Sequence, residues 1–352
     1  MIEEEEGDDR TVTLRVLGAH NLGERGELRT ALTYGDVSHT ERVSSSGVRD
    51  FRQRLWSLGS EVEWRFDDLP GWESLGATHL NVGLSLDGAD TPETGGNAPL
   101  GRMGDWGARL GLSSLTGGGS LLLHGGVSRR ARFPSLRELY SDALGRFVPN
   151  PDLVPEVLTG MELGMTWDLQ GVDLQVVGFR QVLSDGIVRI GVQTPQGPKR
   201  QRVNRDGIQS TGLEMVASGG WRGMQFSGDL TLQQAWQIEE DSGVKTRPEY
   251  EPGVVGGLSV AALAPGDFRL SGGYRFVGTQ FCLNADSASL DELRRTHRFE
   301  LQLRRLFAFE RRSTLANVDA LVSVTNVTDN VIFDQCGLPQ PGRTLRIQLR
   351  LF

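Results

Sequence analysis

No stretch of this sequence approaches the roughly 18 consecutive apolar residues of a membrane-crossing helix. It has only two cysteines, Cys282 and Cys336, in 352 residues and no CxxC, too few thiolates for a zinc centre. Basic residues are outnumbered, 37 Lys and Arg against 45 Asp and Glu. Nucleic acid is therefore not an expected partner, because phosphate binding needs a basic face. Hydrophobic residues make up 38% of the chain, which does not suit a large α/β enzyme with a thick core. GxSxG, HExxH and Walker motifs are missing. The glycine run Gly117–Gly119 lacks the Lys and helix of a phosphate loop and reads as a tight turn. The five histidines, His20, His39, His79, His124 and His297, are scattered; His79 and His124 fall on polar strand faces, where a histidine usually fills space. No catalytic residue, metal site or cofactor is expected. The acidic start, MIEEEEGDDR, has no apolar core and is not a secretory signal.

What the sequence does have is glycine, 46 residues, and a strong period of two. Leu80, Val82, Leu84 and Leu86 alternate with polar residues. So do Met224, Phe226, Leu230, Leu232 and Trp236; Phe268, Leu270, Tyr274 and Phe276; and Ala316, Val318, Ala320, Val322 and Val324. Successive strand side chains point to opposite faces, so each segment has one apolar and one wet side. The segments run roughly 10–15 residues, against about 5–6 in soluble strands. Twelve residues at about 3.3 Å, tilted about 40°, rise roughly 30 Å, the depth of a bilayer's hydrocarbon. Alternation and length together point to a transmembrane β-barrel.

Connections alternate between tight and long. Short turns fall near 68–74, 116–119, 170–171, 219–221, 264–267 and 310–314. Long polar loops fall near 90–99, 133–155, 193–204, 239–251, 280–292 and 330–341. Barrels of the bacterial outer membrane keep short turns inside and long loops outside. Trp64, Phe66, Trp167, Trp221 and Phe268 then lie near inner turns and Trp236, Phe276 and Phe299 near outer loops, as two aromatic girdles would. The count is about fifteen antiparallel strands. Worked back from Phe352, the first strand, about 11–20, starts outside. An odd count implies an incomplete barrel, because unpaired edges in lipid are very costly. Residues 1–10 read as an acidic remnant of an external loop, and 11–352 as barrel. The acidic stretches 3–6 and 239–241 read as solvated.

The run Phe133-Pro134-Ser135-Leu136-Arg137-Glu138-Leu139-Tyr140, then Asn150-Pro151-Asp152-Leu153-Val154-Pro155-Glu156, then Glu162-Leu163-Gly164, resembles a signature of TonB-dependent outer-membrane receptors. Gly212-Leu213-Glu214 is similar to a later G-x-E of that family. Asn326-Val327-Thr328-Asp329 with Pro341-Gly342-Arg343-Thr344 resembles its closing N-x-x-D and PGR elements. Phe352 matches the family's terminal aromatic, although Leu345, Ile347, Leu349 and Leu351 set a phase that Phe352 leaves. These motif residues read as architectural: Pro134 fixes the turn at the rim, and Asn150-Pro151 and Pro155 shape the return.

The resemblance implies an all-β fold, the C-terminal portion of a barrel of roughly 22 strands. It implies a multi-pass protein of the gram-negative outer membrane. The function implied is uptake of a scarce solute, such as siderophore-bound iron, cobalamin or an oligosaccharide; the solute itself stays unidentified. Implied partners are outer-membrane lipid, the barrel-assembly machinery, and further N-terminal strands with a plug. TonB would engage only through that plug. The family places the plug and a TonB-contact segment before the barrel. Neither is recognisable here, so the chain alone is expected not to carry out gated uptake. A porin-like or structural outer-membrane barrel is the main alternative, followed by an outer-membrane barrel enzyme and a soluble β-sandwich or propeller. Cys282 and Cys336 fall in consecutive external loops, in a compartment that permits disulfides; a bridge and two unrelated cysteines are both open.

Overall fold

The computed structural model describes residues 5–43, 47–67, 75–142, 145–205, 207–239, 242–283, 290–308 and 317–351. Fifteen antiparallel strands follow one another in sequence order and form one sheet. They are β1 (Glu5–Leu22), β2 (Gly26–Val43), β3 (Gly47–Phe66), β4 (Leu75–Thr94), β5 (Met103–Thr116) and β6 (Leu121–Arg132). After a long excursion come β7 (Glu156–Asp168), β8 (Val172–Ser184), β9 (Gly207–Trp221), β10 (Met224–Ile238), β11 (Val254–Ala264) and β12 (Phe268–Val277). β13 (Thr296–Ala308), β14 (Asn317–Thr325) and β15 (Thr344–Leu351) complete the order, and the short strand Lys245–Thr246 pairs with β10. Among the described residues β1 and β15 each pair with one neighbour, so the sheet is open between them.

The register puts the alternating apolar residues on one face. Val16, Leu32, Leu58, Leu86 and Trp106 are aligned across five strands, and each stays 46–57% exposed. Leu270, Leu303, Val322 and Ile347 form a second aligned row. A water-soluble sheet would cover such rows; a bilayer covers them without further protein. Past Trp56 the same face turns charged, with Arg52 on Asp36 at 2.7 Å and Arg54 on Asp90 at 2.8 Å. The apolar stretch from Trp56 to Phe66, at about 3.3 Å per residue and a tilt near 40°, rises roughly 25 Å, the height of a barrel's apolar band.

Aromatic rings bound that band. At the outer level Tyr274, Phe276, His297 and Phe299 cluster, with the Tyr274 and Phe299 centroids 4.8 Å apart and the Tyr274 hydroxyl 2.8 Å from His297 Nδ1. At the inner level the Arg305 guanidinium lies between the rings of Phe268 and Phe307, at 4.9 and 4.6 Å. The opposite face is polar and carries ion pairs: Arg304 on Asp319 at 2.7 Å, Arg275 on Asp229 at 2.8 Å, and Arg109 on Glu61. His79 meets Glu63 at 3.2 Å and His39 meets Asp9 at 2.8 Å on this face.

Several boundaries differ from the sequence reading. β1 begins at Glu5, so residues 5–10 of the expected acidic loop remnant are the outer end of a strand. The carboxylates of Glu6, Asp8 and Asp9 are exposed beyond the apolar band, while the backbone ladder to β2 continues. β4 runs to Thr94 into the expected loop 90–99, and the expected turn 219–221 falls later, with φ of 49° at Arg222 and 79° at Gly223. The region 193–204, expected as loop, belongs to a hairpin of Ile187–Thr194 and Gly197–Asn204, which the strand Phe147–Val148 joins in parallel. Short hairpins also stand in the loops after β12 and β14. The expected turns 68–74 and 310–314, Ala316 and the terminal Phe352 lie outside the described residues.

Candidate functional site: the outer rim over the polar face

Among the described residues a buried apolar cluster lies at one end of the sheet. It is made by the excursion between β6 and β7, which crosses onto the polar face of β3 and β4. Pro134 closes β6, Ser135 caps the helix α1 (Leu136–Tyr140), and Glu138 completes a reciprocal capping box. Leu136, Leu139 and Tyr140 pack with Leu153 on Phe51, with at most 9% of any of them exposed. Four side chains from a segment of some twenty residues thus bury themselves against one strand residue, giving the crossing its own small core.

Hydrogen bonds fix the crossing in place. The Tyr140 hydroxyl lies 2.8 Å from Thr91 Oγ1 and accepts from the Leu100 amide at 3.0 Å. Gln53 Nε2 donates to the Pro134 carbonyl at 2.7 Å. The Asn150 amide bonds the Leu139 carbonyl, while its side chain donates to the Arg202 carbonyl and accepts from the Asp152 amide. Pro151 sits inside that turn, and Pro155 leads directly into Glu156 at the start of β7.

Glu138 and Glu156 both hold Arg132, the last residue of β6. Glu138 does so with two hydrogen bonds, at 2.9 and 3.0 Å, and Glu156 with one at 2.5 Å. Glu156 also accepts the Ile187 amide. Burial works to raise the Glu138 pKa. It is outweighed by the Arg132 guanidinium and the bonds from Ser135, which bring the carboxyl below its ordinary value of 4.5.

The remaining motif residues separate into groups. Gly164 and Gly212 are packing positions. A methyl group at Gly164 would stand 2.7 Å from the His124 ring and 2.9 Å from Val177. One at Gly212 would meet the Leu232 carbonyl oxygen at 2.5 Å and the Phe179 ring at 2.7 Å. His124, expected on the polar face, is there and lies on Gly164. Glu162 and Glu214 also stand on the polar face and are exposed.

The closing elements form a separate corner beside β15. Asn326 and Asp329 both adopt positive φ, 49° and 56°, which Asn and Asp tolerate better than most residues. Asn326 is buried and bridges both backbone groups of Asn330. Asp329 accepts the Arg343 amide at 2.7 Å, and Gly342, following Pro341, passes so close that a methyl group would come within 2.8 Å of that carboxylate. Cys282 and Cys336 are joined, with Cα atoms 6.0 Å apart, linking the two loop hairpins beyond β12 and β14.

Phe51, Gln53, Thr91 and Arg132 belong to the rim as much as the motif does. Gln53 and Pro134 are 81 residues apart, and nothing local in the sequence marks their contact. Among the described residues no three His, Cys, Asp or Glu side chains gather as a metal site.

The model of the TonB-dependent receptor-like β-barrel matches residues 6–319. The chain belongs to that family. No curated protein matches the sequence. Among solved structures it is similar to the copper transporter OprC, with TM-score 0.77 and 17% identity over 99% of this chain and 57% of that one. It is similar to the FrpB iron transporter from Neisseria meningitidis, with TM-score 0.75 and 14% identity over 97% and 55%. The siderophore receptor PiuA from Acinetobacter baumannii gives 0.69 and 14% over 98% and 56%. At these identities the likeness is one of fold. The chain spans little more than half the length of these proteins. TonB-dependent receptors are outer-membrane β-barrels and transport receptors rather than enzymes. The apolar face of this sheet is accordingly the lipid side and the polar face the lumen side.

Proposed function

We propose that this chain forms part of the wall and outer rim of an outer-membrane receptor for a scarce solute, in the class of metal chelates, cobalamin or oligosaccharides. The observation that carries this reading is the crossing segment. A passive pore needs only the two-faced wall. Here a segment with its own apolar core, held by Arg132, Gln53 and Thr91, is fastened over the lumen face of β3 and β4, and it supports a raised loop hairpin. Such a rim presents loops to a solute at the mouth. The neighbours named for copper, iron and siderophore favour a metal chelate within the class.

The open edges of β1 and β15 require further strands before the wall is sealed against lipid. Gated passage requires an element that fills the lumen and answers to TonB. The chain alone therefore inserts as a wall and does not pump. The test is expression of this polypeptide in the outer membrane of a host lacking its own receptors, with and without TonB. The expected result is membrane-fraction protein and no energy-dependent uptake of ferric chelates. Uptake that depends on TonB, by this polypeptide alone, would overturn the division of labour. Recovery of folded protein from the soluble fraction would overturn the membrane wall itself.

A further inference from the structure

The hairpin above the crossing segment carries an unusual charge pattern for a chain whose net charge is −8. In its register Arg189 stands directly opposite Arg202, and Arg200 opposite Gly191. Alternation puts Arg189, Arg200 and Arg202 on one face. Phe147, paired with Arg200 in the third strand, shares it, and the Arg202 guanidinium lies 4.5 Å from the Phe147 ring centre. Arg202 also donates to the Arg137 carbonyl, bringing a fourth arginine alongside. Gly191 has nothing within 4 Å of where a side chain would begin, so the face has a notch between the arginines.

Like charges directly opposite on paired strands destabilise the pair. Where arginines of this protein stand close to a carboxylate they pair with it: Arg132 with two glutamates, Arg205 with Glu239, Arg304 with Asp319. Among the described residues Arg137, Arg189, Arg200 and Arg202 have no ion pair, and Glu138, the carboxylate nearest in effect to Arg202, is already held by Arg132. Burial, Arg137 and Arg189 together press the Arg202 pKa down, so the group is short of negative charge. The same face runs down to Ile187, which packs against the motif core over the lumen. It therefore lies beside the solute's entrance.

Resting on the receptor reading, we propose that this face is the first contact for an anionic solute: a small chelate with several negative, partly planar groups. Guanidinium forks would take its oxygens in pairs and the Phe147 ring would take a flat face. A neutral or cationic solute gains nothing from four uncompensated arginines.

The test is titration calorimetry on the whole chain in neutral detergent. The probes are trianionic iron(III) tris-catecholate and neutral iron(III) tris-hydroxamate. The expected result is binding of the first only, weakening with added salt, and at least about tenfold weaker in Arg189→Gln/Arg200→Gln/Arg202→Gln. Lys199→Gln, on the hairpin's other face, should leave it unchanged. Arg189→Gln alone should weaken binding while raising the hairpin's protection from hydrogen exchange, because it removes the opposed pair; misfolding would lower both. Equal binding of both chelates, or full binding by the triple variant, overturns the proposal and leaves the receptor reading standing. Binding of neither overturns the proposal and leaves that reading to the uptake measurement. A triple variant that keeps the chelate but loses phosphatidylglycerol vesicles overturns it in favour of a lipid headgroup.

Discussion

At Gly212 the backbone has no room for a methyl group. The obstacle on one side is the Leu232 carbonyl, which belongs to the ladder and cannot turn away. Gly212→Ala should therefore destabilise the wall by about 1–3 kcal/mol, the usual cost of forcing volume into a packed site. Gly191→Ala, in open space on the loop hairpin, should cost less than about 0.5 kcal/mol. Urea unfolding of the two variants in lipid vesicles checks the contrast, and equal effects would mean that glycine acts here through chain entropy alone. Gly212 was legible in the sequence as part of a motif, but its reason was not. The crowding comes from Phe179, 33 positions back, and from a strand that pairs only once the sheet is built. The same holds for Tyr140. Its place in the run from Phe133 was plain, while its partners Thr91 and Leu100 were hidden by distance along the chain.

The crossing segment is the element on which acid should act. The Glu138 carboxyl is held below its ordinary value of 4.5. A carboxyl with a lowered folded pKa adds stability above its unfolded pKa, and that stability is lost as pH falls through the folded value. The crossing should thus loosen below about pH 4.5, read as faster proteolysis between Phe133 and Glu156 at constant wall content. Glu138→Gln should show the looser cleavage pattern already at neutral pH and lose most of the acid response. An unchanged pH profile in the variant would assign the acid effect to Glu156 or another carboxylate. Element by element, the sequence was most readable inside the bilayer. There lipid forces one apolar face, as in Met224–Ile238. It was least readable outside, where neither face has to be apolar. β2, β3 and β4 run on as charged ladders past the band. In the hairpin Ile187–Asn204 the apolar side, Val188, Ile190, Val192 and Val203, is interrupted by Gln201 and Lys199, and its other face is arginine. Water solvates both, so no alternation sharp enough to mark a strand survives.

For the whole molecule the decisive question is which solvent touches the exposed apolar rows. Leu258 and Ser259 are successive residues of β11 on opposite faces, and both are exposed. Leu258 lies in register between Gly228 and Tyr274 on the apolar side, while Ser259 faces Ser227 with their hydroxyls 2.7 Å apart. In water an arginine at either position would be tolerated. In a bilayer Leu258→Arg places a guanidinium among acyl chains at the level of Tyr274, between the midplane and the outer interface, at a cost of about 1–3 kcal/mol. Ser259→Arg places it in the wet lumen, beside Asp229 two rows away, and should change stability by less than about 1 kcal/mol. The measurement is reversible unfolding in vesicles, with heat-modifiable migration as the sign of a folded wall. One residue of offset then separates a clear penalty from almost none, because the period of a strand is two and the two faces meet different solvents. If both variants fold with equal stability, Leu258 does not face lipid. The sheet would then have to cover its apolar rows with protein, and the membrane wall, the rim above it and the solute at its mouth would fall together.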